Sequence, residues 1–334
     1  MIKLLERMKD WLRRLSKPVD LPPDSDPPPP IERKWEVREI WRERTPRKVM
    51  CVRSLGEAIV VSSYDGKSRE ASWLHFKKPD GSWYQIYKGG DETLGPIGEW
   101  NGRFYFCAEN GKHILSVGPG GDLLKHARIP DNAQYNIIGT IWRNRPVFAA
   151  VGKRKGLARV FDAISGGQLT TLGLDGLVAG LCVTPNNDLI AAHSWGSTGL
   201  SSASGRVNRS VKPACVAWSE GYGLVVGGMD DGLIWFMGEE WWANGPQGKI
   251  DLNCSKVNRL VAAHGRVWFA GANPDTFGFI VGNNEYVTIA RFQDEKKDKT
   301  GEQFDADIWP VSSSKCYIAR KFPGGCVVYE CNAR

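Results

Sequence analysis

No stretch of this sequence approaches 18 consecutive apolar residues, so no transmembrane helix is expected. A secretory signal is also missing, because charges interrupt every short hydrophobic run near the N-terminus. Cysteine never occurs as CxxC and the five histidines are scattered, which excludes the common zinc-site spacings. HExxH and GxSxG do not occur, and YDGKSR keeps only the second half of a phosphate-binding loop. These absences leave no catalytic, metal or cofactor residue to name, and the expectation is a chain that is not an enzyme. A disulfide framework belongs to small secreted domains rather than to a chain of 334 residues. Cys51, Cys107, Cys182, Cys215 and Cys316 instead sit in apolar, strand-like runs, as reduced thiols do in a core. Reduced thiols without a signal imply a cytoplasmic location.

The chain does have tryptophan and glycine. Fourteen Trp and thirty-eight Gly exceed average usage, a pairing that accompanies short strands joined by tight turns. Hydrophobic residues make up 42% and charged residues 24%, as in a globular protein. A net charge of +7 is too small an excess to establish nucleic-acid binding, and nucleic acid is not the expected partner.

Three regions follow from the pattern. In residues 1–17, Ile2, Leu5, Met8, Trp11, Leu12 and Leu15 fall on one helical face, with Arg13, Arg14 and further basic residues around the rest. A helix this short is marginal alone and needs a surface to dock on. Its own domain, another protein subunit and a membrane surface are the alternatives, and the subunit is preferred. Residues 18–32 are proline-rich, with seven prolines between 18 and 30, and form an extended spacer of about 40 Å. Residues 33–334 are β-rich and repetitive.

The repeat is carried by strands rich in small residues: IVVSSYDG at 59, FYFCAENG at 104, FAAVGKRKG at 148, IAAHSWGS at 190, VVGGMDDG at 225, WFAGANPD at 268 and YIARKFPGG at 317. A shorter strand precedes each, often closing on an aromatic and a turn, as in GEWNGR and TIWRNRP. One strand follows each, and most units add a fourth, more polar strand. Four strands about every 43 residues, seven times over, resemble the β-propeller superfamily. Trp-Asp dipeptides are absent and a kelch-type double glycine fits only at Gly227 and Gly228, so neither WD40 nor kelch is matched. Six blades is the alternative if the short unit at 177–213 is irregular. The seventh unit ends after three strands, while WEVREIW at 35–41 is a spare strand whose Trp35, Val37, Glu39 and Trp41 alternate onto one face. This strand is expected to complete the last blade and close the ring.

Within such a ring, Asp230 and Asp231 fall in a second-to-third-strand loop and read as a turn rather than a site. His193 and His264 lie in apolar contexts and read as structural. The same rim carries Lys153, Arg154 and Lys155, with Lys67, Arg69, Arg320, Lys321, Lys296, Lys297 and Lys299. These are either solvated charge or a docking site for an acidic partner. On the opposite rim, Trp241 and Trp242 either pack with the outer strand or form an exposed platform for a glycan or a protein. The expected role is a non-enzymatic interaction or structural module anchored to a larger assembly by residues 1–17. This architecture resembles accessory virion proteins of tailed phages. A carbohydrate-binding propeller and a propeller hydrolase or lyase are the competing readings.

Overall fold

The computed structural model describes residues 34–44, 47–65, 71–90, 94–108, 113–128, 133–152, 157–282, 284–292, 306–322 and 325–334. The expected helix and proline-rich spacer lie outside these residues. Among the described residues there is no helix.

Seven four-stranded antiparallel sheets form the blades of a propeller. From inner to outer strand, blade one is Arg47–Leu55, Ala58–Asp65, Ala71–Lys77 and Trp83–Gly90. Blade two is Leu94–Trp100, Arg103–Ala108, His113–Val117 and Leu123–Arg128, and blade three is Ala133–Trp142, Arg145–Gly152, Arg159–Asp162 and Gln168–Thr171. Blade four is Leu177–Val183, Leu189–Trp195, Gly199–Ser202 and Val207–Asn208, and blade five is Pro213–Ser219, Gly223–Gly228, Leu233–Gly238 and Gly248–Asp251. Blade six is Lys256–Ala263, Arg266–Ala272, Asp275–Gly282 and Glu285–Phe292. Blade seven is Ala306–Ser312, Lys315–Phe322, Gly325–Ala333 and, as its outer strand, Trp35–Glu43. The short fourth unit is therefore a true blade whose outer strand has shrunk to two residues.

Burial explains the composition. Second strands such as AIVVSSYD and GLVVGG are buried on both faces because a blade packs on each side, so small and branched apolar residues suit them. Outer strands such as LLKHAR and QLTT meet solvent and carry charge or hydroxyls. All eight cysteines are free and seven are buried; burial pushes the Cys215 thiol up to about 12.

Ring closure from both chain ends is as the sequence implied, with one correction. Trp35 pairs with Ala333 and Val37 with Cys331, but a bulge between Glu39 and Trp41 shifts the register. Trp35 and Val37 therefore pack toward blade six, where Trp35 meets Trp268 edge-on at 6.2 Å. Ile40 and Trp41 face blade one instead, where Trp41 stacks on Trp83 at 5.6 Å. One strand thus fastens three blades. Arg38 adds an ion pair to Glu330 on the neighbouring strand.

The aromatic that closes several inner strands has a structural task. Trp100 of blade two donates its indole N–H to the Asn144 carbonyl of blade three at 2.8 Å. Trp142 of blade three does the same to Asn187 of blade four at 2.9 Å. Asn144 and Asn187 have φ of 55° and 60°, a left-handed turn conformation that asparagine tolerates and that aims the carbonyl at the preceding blade.

Candidate functional site

A groove of about 830 Å³ crosses blades three, four and five on the rim made by the inner-to-second and third-to-outer turns. Its floor and walls come from the turns just described. Trp142 lies buried at one end, locked by its bond to Asn187, and the Arg143 guanidinium lies over its ring at 4.3 Å. The turn from Thr184 to Asp188 is closed by Asn187 N–H donating to the Thr184 carbonyl at 2.9 Å, presenting Pro185, Asn186 and Asn187 to solvent. Asp188 is not free to bind: its carboxylate accepts from the Ser204 amide at 3.1 Å and the Ser204 hydroxyl at 2.7 Å.

The blade-five wall is GEEWW. Trp241 is fully buried, and its carbonyl accepts from the Asn208 side-chain amide at 2.5 Å. Trp242 stands edge-on to Trp241 at 6.1 Å, half-buried, with the Arg206 guanidinium 3.6 Å over its ring. Glu239 and Glu240 are exposed beside it. The groove therefore has two guanidiniums placed over tryptophan rings, a cation–π arrangement. Neither Arg143 nor Arg206 forms an ion pair among the described residues. Trp218, the indole of blade five, also lines the groove, and its buried N–H has no partner among the described residues. The indole-to-turn link of blades two and three is thus missing here, leaving a buried donor at the groove.

Several expected site residues are placed differently. Leu5, Met8, Trp11, Leu12, Arg13, Arg14 and Leu15 lie outside the described residues, as do Lys153, Arg154, Lys155, Lys67, Arg69, Lys296, Lys297 and Lys299. Arg320 is not rim charge: it is buried and its Nε donates to Asp275 of blade six at 2.8 Å. Trp241 and Trp242 do not form a two-ring platform. Both sit in a turn rather than in the outer strand; Trp241 is enclosed, and Arg206 covers a face of Trp242. Asp231 accepts the Leu233 amide at 3.0 Å, the bond of an Asx turn, and Asp230 is exposed. Gly232 has φ of 63°, and a Cβ there would lie 2.0 Å from the Cys254 carbonyl oxygen. His193 is buried with both ring nitrogens hydrogen-bonded, to the Gly176 carbonyl at 2.9 Å and the Ser201 hydroxyl at 2.8 Å. Burial holds its pKa below the ordinary imidazole range. His264 is not in an apolar setting but at an exposed turn with φ of 53°. Among the described residues, no three His, Cys, Asp or Glu side chains are grouped to hold a metal ion.

No protein-family model and no curated protein matches the sequence. Solved structures do match in shape. Virginiamycin B lyase from Staphylococcus aureus aligns with a TM-score of 0.58 at 11% identity, covering 90% of this chain and 100% of that one. YCF48 bound to D1 peptide aligns with a TM-score of 0.57 at 12% identity, covering 90% and 95%. BBS1N in complex with ARL6DN aligns with a TM-score of 0.57 at 9% identity, covering 90% and 98%. At such identities the likeness is one of fold. It nonetheless corrects the expectation that the chain is not an enzyme. The same propeller shape houses a lyase, so missing motifs in one chain do not remove catalysis from it. None of these three is described as a virion protein. What this chain shares with them is the β-propeller architecture, as scaffold for an enzyme in one case and for protein contacts in two.

Proposed function

We propose that this chain is a recognition propeller that holds an extended, acidic segment of a protein partner in the groove over blades three to five. The observation that carries this reading is the pair of tryptophan-backed guanidiniums, Arg143 and Arg206, which face the groove without a carboxylate of their own among the described residues. Arginine held over an indole loses little freedom on binding and presents a fork suited to carboxylates. The exposed Asn186 and Asn187 add donors that an extended backbone satisfies. Propellers of similar shape that hold a peptide or a protein partner lend support by analogy. A glycan is the weaker occupant, since stacking on Trp242 requires a ring face that Arg206 now covers.

Residues 1–17 supply the second half of the proposal. Their amphipathic pattern suits docking on another subunit, and the proline-rich spacer gives the propeller reach from that anchor. A virion is one assembly in which such an anchored propeller would serve, on architectural grounds alone.

A displayed library of random peptides, selected on the wild-type protein and counter-selected on Arg143→Glu/Arg206→Glu, tests the groove. Enrichment of acidic sequences that bind at least tenfold less tightly to the double variant is expected. Selected peptides that bind both proteins equally would refute it. For the anchor, a pull-down with the full chain should lose partners when residues 1–30 are removed, and an unchanged partner set would refute that half.

A further inference from the structure

Three consecutive blades place charge on inner strands that are otherwise mostly apolar: Arg259 in blade six, Asp307 in blade seven and Arg53 in blade one. Asp307 serves both arginines. Its Oδ2 accepts from Arg53 Nη1 and from the Val52 amide at 2.9 Å, while its Oδ1 is 3.6 Å from Arg259 Nε, beyond hydrogen-bond length. Arg53 is 1% exposed and rests against Trp309, with its guanidinium carbon 4.7 Å from the ring centroid. Nη1 also donates to the Val52 carbonyl at 2.6 Å, but the buried Nη2 has no partner among the described residues. Next in the chain to Arg259, both side-chain amide atoms of Asn258 are buried without a partner among the described residues, at a bulge in the inner strand.

The charges do not cancel. Two guanidiniums that cannot shed their protons face a single carboxylate, leaving a net positive charge where solvation is poor. Burial and the neighbouring Arg53 push the Arg259 pKa down. About a third of the Arg259 side chain is exposed, which gives a small ion a way in.

We propose that Arg53 Nη2, Arg259 and the Asn258 amide form a binding site for one small carboxylate anion on the inner strands of blades six, seven and one. A single carboxylate brings the cluster to neutrality. Its two oxygens match the planar donors of a guanidinium, and the Asn258 amide supplies a further N–H. The site and the groove have no blade in common, so the two proposals fail independently.

The test uses acetate as the probe, titrated at constant ionic strength against chloride while the melting temperature of the full chain is followed. A saturable rise specific to acetate is expected, with inorganic phosphate giving a smaller one. Arg259→Gln should weaken half-saturation about tenfold or more, the loss of one charge-assisted contact. Asn258→Asp puts a permanent carboxylate beside the arginines; it should melt above wild type in chloride and no longer respond to acetate. No acetate-specific rise in the wild type, a larger rise with phosphate, or an undiminished response in both Arg259→Gln and Asn258→Asp would overturn the proposal.

Discussion

Replacing Trp41 by alanine tests how the ring is closed. Trp41 is half-buried, stacks on Trp83 at 5.6 Å and tilts over His75 at 4.9 Å, so one indole joins the outer strand of blade seven to blade one. Truncating a fully buried tryptophan costs about 3–5 kcal/mol. Half of that burial, together with aromatic contacts worth about 0.5–1.5 kcal/mol, gives an expected loss of about 2–4 kcal/mol. For a domain of this size the melting temperature should fall by about 5 °C. Urea unfolding followed by tryptophan fluorescence and by circular dichroism reads the loss, and Trp41→Phe should recover most of it. Deleting residues 33–45 goes further: it strips the outer strand and exposes the paired edge of Gly325–Ala333, so that protein should unfold or aggregate. Deleting residues 1–30 should leave the ring folded. If Trp41→Ala unfolds at the wild-type urea midpoint and the 33–45 deletion remains monomeric and folded, the closure argument is wrong.

Other outcomes follow from single contacts. Trp142→Phe removes the inter-blade bond to the Asn187 carbonyl and should cost about 1 kcal/mol by urea unfolding. In the GMDDG turn, Asp230→Asn should be neutral, whereas Gly232→Ala forces a left-handed φ and a clash with the Cys254 carbonyl, and should cost at least about 1–3 kcal/mol in the same assay. Arg320→Met leaves Asp275 in a buried site without its guanidinium and should cost about 3–5 kcal/mol. Burial depresses the folded-state pKa of His193 below its ordinary 6.5, so at lower pH the unfolded chain binds a proton that the folded chain refuses. Stability should therefore be full above about pH 6.5 and fall as the pH drops toward the folded value, by up to about 1.4 kcal/mol per pH unit, and His193→Gln should flatten that part of the profile.

The architecture was legible because a propeller repeats one hydrophobic pattern in each blade. Second strands such as FYFCA and FAAVG must be small or branched on both faces, and the missing strand after CVVYE had its counterpart in WEVREIW. What period alone cannot show is a bulge. The extra residue at Ile40 turned Trp41 to the face opposite Trp35, and strict alternation had put them together. Charge was harder still. Arg320 reads as rim in sequence but lies buried against Asp275, because the partner is 45 residues away on another blade. The groove was invisible for the same reason: Arg143, Arg206 and Trp218 belong to three different repeats. The aromatic closing several inner strands was a visible signal, yet its partner in the next blade was not. A lone arginine in CVRSL and a lone aspartate in ADIW, each inside an otherwise apolar inner strand, were the available hints of the Arg53–Asp307 pair.

The central functional claim concerns where a partner binds. Amide hydrogen exchange on the full chain, with and without a groove-selected acidic peptide, tests it most directly. Slowed exchange is predicted at residues 184–188, 203–206 and 239–244, the turns that form the groove. Protection confined to the opposite rim, such as the 229–232 turn, or no protection at these three turns under saturating peptide, would contradict it.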